Sequence, residues 1–303
     1  MNNTQTKIRG GITECASDRV FHIVTAIILI LLTIITIYPL YFTLIASVSD
    51  LNSIMRGEVL LTPKGFNLMS YERVFQNVRV ISGYRNSIIY AAAGTLISLA
   101  VTFTGGYALS YKFPGKSAIM LFFVFTMFFS GGLIHTYFNY YNLHMLDTIW
   151  VIIIPGATGA YSLVIARTFI SQIPVELREA ADMDGCSKTR YFFNVVLPLS
   201  TVIIAIQALF SVVGYWNSYF NALMFVQKRE LQPLTIILRE ILIQNNVPID
   251  GTTINTEAAA EMRRVKEILK YSLIVVASVP MLILYPFLQK YFVKGVLVGS
   301  IKG

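Results

Sequence analysis

Glu176, Arg178, Glu179, Asp182, Asp184, Lys188 and Arg190 put seven charges into fifteen residues, while the runs on either side, 148–166 and 191–227, contain none. Grouped carboxylates suggest acid–base or cation chemistry, so Asp182 and Asp184 are the first residues to weigh as catalytic. The overlapping "GCSKT" (185–189) suggests phosphate binding. A phosphate loop of the form GxxxxGK[ST], however, needs glycines where Asp182 and Ser187 stand. Metal chemistry has less support. Cys15 and Cys186 lack a CxxC or Cys/His partner at ligand spacing, and His22, His135 and His144 are scattered, as interfacial or packed histidines are.

The elements that must position this segment are apolar. Hydrophobic residues make up 55% of the 303-residue chain and charged ones 13%, about half the share of soluble domains, so the chain is a membrane protein. Its net charge of +8 is dispersed rather than gathered on one face, which argues against nucleic acid and for membrane-edge anchors. About 20 apolar residues cross a bilayer. Runs free of Asp, Glu, Lys and Arg lie at 20–49, 86–111, 117–146, 148–166, 191–227 and 271–289. They predict six spans at about 20–48, 86–111, 117–137, 148–168, 198–226 and 271–291. Residues 1–19 form a polar tail, and the uncharged run after them is too long for a signal-peptide core, so it reads as an uncleaved first span.

Two polar segments, 50–85 and 228–270, fall on one side of a six-span chain. "GEVLLTPKGF" suggests an extended piece and turn; Leu68, Tyr71, Val74, Phe75 and Val78 recur at helical spacing, and "TEAAAEMRRVKEILK" predicts a helix. With the N-terminus inside, Lys and Arg divide twelve to twelve between the two sides, so charge alone leaves the orientation open.

A charge at the bilayer centre costs about 2.5–3.5 kcal/mol on insertion scales, which keeps 176–190 out of the membrane. Pro174 suits the first turn of a helix with Glu176 near its positive end, Gly185 a left-handed stop, and Ser187 the cap of a second helix. Ala180 and Ala181 leave a surface that another backbone can approach. A solvated connector, with Arg178 and Asp182 paired at i, i+4, accounts for the segment equally well at this level.

Glu179-Ala180-Ala181, then Gly185, Val195 and Leu197-Pro198 at their spacing resemble the EAA motif of the membrane subunits of binding-protein-dependent ABC importers. Val195 replaces the usual isoleucine. "EAAAEMRR" at 257 is a decoy, with Arg263 where the glycine belongs. The resemblance runs from about residue 20 onward. "YRNSIIYAAAGTLISLAVTFTGGYALS", "GYWNSYFNALMFV" and "LQKYFVKGVLVGSIKG" are similar to the maltose-type carbohydrate group, oligosaccharide importers in particular.

The resemblance implies an all-α membrane fold, a type I ABC importer transmembrane domain over 20–295 with six transmembrane helices. The coupling segment is 174–190, and 296–303 is a second tail. Glu179, Ala180, Ala181, Asp184, Gly185, Leu197 and Pro198 would couple to the ATPase from the cytosolic side, which puts both termini in the cytosol of a bacterial cell. The partners implied are a second homologous permease, two cytosolic ATPase subunits and an extracellular sugar-binding protein. With no Walker A sequence here, ATP and Mg would bind the ATPase subunits, and this chain would be a transport subunit without cofactor or enzyme activity of its own.

Trp216 and Asn217 are candidates for the substrate path, since an aromatic ring stacks on a sugar face and an amide both donates and accepts. An interfacial anchor and a cross-helix amide are the competing roles. Tyr137, Tyr140 and Tyr141 read as an aromatic belt, and Gly105, Gly106 and Gly214 as sites of close helix packing. Three other functions compete: import of a non-sugar solute, an ion-coupled carrier, and a membrane enzyme acting on a lipid-linked sugar. The carrier would want carboxylates or basic residues inside the spans, and the six runs contain no Asp, Glu, Lys or Arg.

Overall fold

The computed structural model describes residues 16–243 and 269–287. The helix expected over 256–270 lies almost wholly outside these residues, as do Cys15, the C-terminal motif and both tails. The described residues contain helices and turns and no strand, so "GEVLLTPKGF" forms successive bends rather than an extended piece.

Two units are compact in themselves, 1–68 and 69–303. The first holds α1 (Ala16–Ser47) and α2 (Leu51–Met55). The 32 residues of α1 make about 48 Å of helix, enough to cross a bilayer, and its apolar side chains are exposed from Val20 to Tyr41, while Ile45 and Ala46 in its last turn are buried. After α2 the chain folds back so that Tyr41 donates to the Leu61 carbonyl at 2.6 Å.

The second unit is built on α4. It begins with α3 (Met69–Gln76), whose Val74 is buried while Phe75 is exposed. Next come α4 (Val78–Ala108), α5 (Lys116–Phe128), α6 (Gly132–Asn142), α7 (Trp150–Ala157) and α8 (Ala160–Ile170). The charged segment supplies α9 (Val175–Met183) and α10 (Lys188–Tyr191). Then follow α11 (Leu197–Leu199), α12 (Thr201–Trp216), α13 (Phe220–Phe225), α14 (Leu234–Ile243) and α15 (Leu269–Phe287).

Helices α7, α8, α12 and α14 all pack on α4. Small residues make this possible, because without a hydrophobic drive between helices in lipid, close backbone approach and cross-helix hydrogen bonds hold the bundle. Gly106 lies against the Ala166–Arg167 backbone and Gly83 against Leu234. Gly214, also expected to serve packing, has nothing within 4 Å of a built Cβ among the described residues and is exposed. At its first turns α4 grips the segment leading to α14. Asn86 Nδ2 donates to the Glu230 and Gln232 carbonyls at 2.7 and 3.1 Å, Tyr90 Oη donates to the Leu231 carbonyl at 2.7 Å, and Ser87 Oγ accepts from Leu234 N at 2.9 Å.

Three helices are long and apolar enough to cross a membrane singly: Asp18–Ser47, Val78–Ala108 and Leu269–Phe287. Counting each of three bent pairs as one crossing gives six. The bends were not visible in the charge-free runs. α5 and α6 meet at 118°, where Gly131 and Gly132 interrupt the run, and α7 and α8 at 42°. α4 also starts eight residues before the uncharged run at 86, taking Arg79 and Arg85 into the helix. Arg79 pairs with Glu240 at 2.6 Å, so this end of α4 is a polar docking surface.

Candidate coupling site

Helix α9 starts after Pro174, whose ψ of 134° is extended and whose missing N–H costs nothing at a helix start. Its last turn closes on Gly185 at φ +69°. Gly185 N donates to the Asp182 carbonyl at 3.1 Å and Cys186 N to the Ala181 carbonyl at 2.9 Å, a glycine stop that satisfies the end of the helix. Ser187 then caps α10, its Oγ accepting from Arg190 N at 3.3 Å.

Two faces of α9 differ. Glu176, Glu179, Ala180 and Met183, at i, i+3, i+4 and i+7, are exposed, and Met183 is 88% so. Arg178 and Ala181 are turned inward. Ala181, Cys186, Val195 and Leu197 pack against a buried cluster of Phe103, Ala166, Ile170, Tyr191, Phe192 and Val196. The motif residues therefore divide: Ala181, Val195 and Leu197 seat the segment, while Glu179, Ala180, Asp184 and Gly185 stay open to a partner.

Arg178 does not pair with Asp182. Its guanidinium carbon lies 5.3 Å from the centroid of the Tyr111 ring, and no ion pair involves the charges of 176–190 among the described residues. A rigid aromatic face offers Arg a partner that needs no exposed carboxylate held in place.

Beyond α10, residues Phe192–Val196 wind as a π-helix. The wider turn accommodates Pro198, which has no N–H and whose ring would crowd the carbonyl four residues back. The axis then turns by 79° at Ser200 into α12. Pro198, expected where the chain enters the membrane, sits on the approach to this bend.

Trp216 and Asn217 lie at the other end of α12, about 24 Å along a helix of 16 residues. Trp216 is 5% exposed, its Nε1–H donates to the Ala277 carbonyl at 3.2 Å, and its ring meets Tyr84 edge-on at 5.6 Å. Asn217 is exposed. Both line a cavity of about 260 Å³ with Leu234, Thr235, Ser278 and Met281. Tyr140, placed in an aromatic belt by the sequence, packs edge-on against Phe225 at 5.0 Å.

Tyr107 and Tyr111, which the EAA motif does not mark, also belong to the site. Tyr107 Oη lies 3.0 Å from the Lys188 carbonyl and 2.5 Å from Tyr111 Oη. Each phenol has one proton, so Tyr107 donates to the carbonyl and Tyr111 donates to Tyr107. The signal was present in "YALSYK", two tyrosines one helical turn apart at a membrane edge.

Residues 80–298 match the family model described as binding-protein-dependent transport system inner membrane component. Protein LplC of Bacillus subtilis (strain 168) is 35% identical over 95% of this chain and 96% of its own length. The polygalacturonan/rhamnogalacturonan transport system permease protein YtcP of the same organism is 33% identical over 94% and 99%. A solved structure of a bacterial ABC transporter involved in the import of the acidic polysaccharide alginate contains a chain that superposes with a TM-score of 0.84. That chain is 29% identical, and the match covers 92% of this chain and 99% of that one.

Proposed function

Since the chain belongs to the family of binding-protein-dependent transport system inner membrane components, we propose that this ABC importer permease carries an oligosaccharide, handed over by an extracellular binding protein. The fold is that of a type I importer transmembrane domain. The similarity to permeases and an importer named for polygalacturonan and alginate supports the choice of solute.

One observation carries the mechanism: α9 is held outside the candidate spans with Glu179, Ala180 and Met183 exposed on one face. This face is the coupling surface, received by a cleft on a cytosolic ATPase subunit that binds ATP and Mg. Basic groups in the cleft meet Glu176 and Glu179, and the apolar Met183 enters between them. One coupling segment per chain calls for a second permease to complete the path and two ATPase subunits beneath. Both termini are then cytosolic.

ATP-driven closure of the ATPase pair displaces two such segments and opens the cavity between the permeases outward. On this chain the exposed stripe of α12, Phe210, Val213, Gly214 and Asn217, faces that cavity. Asn217 offers its amide to sugar hydroxyls, and the buried Trp216 backs it.

The test is to purify the chain in mild detergent from its own host and identify what accompanies it, then screen the companion binding protein against acidic and neutral oligosaccharides. Recovery of a second permease and an ATPase, with sugar binding by the companion, is the expected result. A chain that purifies alone and transports in vesicles without ATP would overturn the reading.

A further inference from the structure

The coupling surface can act only if its displacement reaches the bundle, so what fastens it there matters as much as what it touches. Its two arms, α9 and α10, flank Gly185, and one ring receives a cation from each. Arg178 lies 5.3 Å from the Tyr111 centroid and Lys188 Nζ 5.2 Å from it, inside the roughly 6 Å range of cation–π attraction. Tyr111 stands just beyond the C-terminal end of α4. Its hydroxyl continues through Tyr107 to the Lys188 carbonyl at 3.0 Å, and the Tyr107 ring rests on Phe192 at 4.9 Å.

Apolar packing is interrupted at this point. A cavity of about 190 Å³ lies under the start of α9, lined by Tyr107, Tyr111, Arg178 and Tyr191 among others. Beside the apolar seat of Ala181 and Cys186, ring and hydroxyl contacts connect the two parts across this space. They lead into the helix on which α7, α8, α12 and α14 all pack.

We infer that Tyr111 is a positioning residue for transport, the joint through which Arg178 and Lys188 pass movement of the coupling segment into α4. The inference rests on the coupling role proposed for α9. It predicts that the joint can be cut without removing the coupling surface, because Tyr111 does not lie on the exposed face of α9.

The experiment uses the complete importer in membranes, with Cys15 and Cys186 replaced by serine and one cysteine placed at Ile81, exposed near the far end of α4. N-ethylmaleimide labelling rates are compared without nucleotide and with ATP plus vanadate. In the parent the two rates should differ. In Tyr111→Leu that difference should shrink about fivefold, the factor that two partly exposed cation–π contacts represent, while the ATPase subunit still co-purifies and hydrolyses ATP. Tyr111→Trp, which keeps a ring face, should stay close to the parent. Arg178→Gln combined with Lys188→Gln should repeat the effect of Tyr111→Leu from the other side, and serves if the leucine variant does not fold.

Equal parental rates, an unchanged difference in Tyr111→Leu or in the glutamine pair, or a tryptophan variant as impaired as leucine would each overturn the joint. Loss of the ATPase subunit from Tyr111→Leu would also overturn it, since the residue would then build the docking surface. Gly185→Pro run in parallel separates the two readings. If it keeps normal uptake, the coupling role of α9 fails. If it is impaired while Tyr111→Leu is not, only the joint fails.

Discussion

Gly94→Ala should destabilise the bundle by about 1–3 kcal/mol, the usual cost of forcing an extra carbon into a packed interior. A Cβ built on Gly94 would lie 2.5 Å from Cζ of Tyr215 and 2.6 and 2.7 Å from its two Cε atoms, where carbon pairs prefer about 3.5–4.0 Å. The ring has nowhere to retreat. Tyr215 Oη donates to the Ile153 carbonyl at 2.8 Å, and Gly156 closes on the same ring from α7, where a built Cβ would come 2.8 Å from Oη. At roughly 2–4 °C per kcal/mol for a domain of this size, the loss-of-monodispersity temperature in detergent should fall by about 2–12 °C. The decisive comparison is Gly94→Ala in a Tyr215→Leu background, because leucine lacks Cε and Cζ and removes the clash. There the added alanine should cost less than about 0.5 kcal/mol. An equal cost in both backgrounds, or a Gly94→Ala variant that melts with the parent, would refute this account of why α4, α7 and α12 meet at glycines.

Gly185→Pro should abolish uptake while leaving membrane insertion intact, since proline holds φ near −65° where this residue has +69°; normal uptake at normal expression would remove α9 as the coupling element. Gly185→Ala should be milder, at about 1–2 kcal/mol of backbone cost, because nothing lies within 4 Å of its Cβ; Gly185→Asn should be milder still, and an order of effect other than Pro, Ala, Asn in ATPase co-purification would contradict the left-handed stop. Glu240→Gln should lower thermal stability by no more than about 1 kcal/mol, because the Arg79 and Glu240 side chains are 42% and 33% exposed and solvent screens such a pair; a loss beyond 3 kcal/mol would mean that α14 depends on it. Cys186 should resist impermeant maleimides in intact cells and react in inverted vesicles, and labelling from outside would reverse the topology. Trp216→Phe should lower stability by about 1 kcal/mol through the lost bond to Ala277 with KM for uptake unchanged, whereas a large rise in KM would make the ring itself a sugar contact.

The turn at Gly185 and the cap at Ser187 were legible because each depends on a few adjacent residues: a left-handed dihedral wants glycine, and an orphan N–H wants a nearby hydroxyl. The EAA spacing was legible for a different reason. It joins an exposed helix to the half-buried Val195 and Leu197, which seat it against the buried cluster at a set distance along the chain. Trp216 was harder to place, because an indole suits a sugar face, an interface and a helix crossing equally until Tyr84 and the Ala277 carbonyl are seen to occupy it. The three glycines first grouped together separated in the same way. Gly105 and Gly106 meet Leu163 and Arg167, while Gly214 meets nothing within 4 Å among the described residues.

By itself the sequence determined that the chain is membranous, where its apolar runs lie, and that 176–190 stays outside, since the cost of placing a charge in hydrocarbon does not depend on how the helices are arranged. It also placed the local stops and caps, which neighbouring residues settle. Only the tertiary structure decided that α5 and α6 meet at 118°, that α7, α8, α12 and α14 pack on α4, and that Tyr111 receives Arg178 and Lys188. Those outcomes depend on side chains brought together from distant parts of the chain, where contact geometry, and neither composition nor spacing, selects among partners.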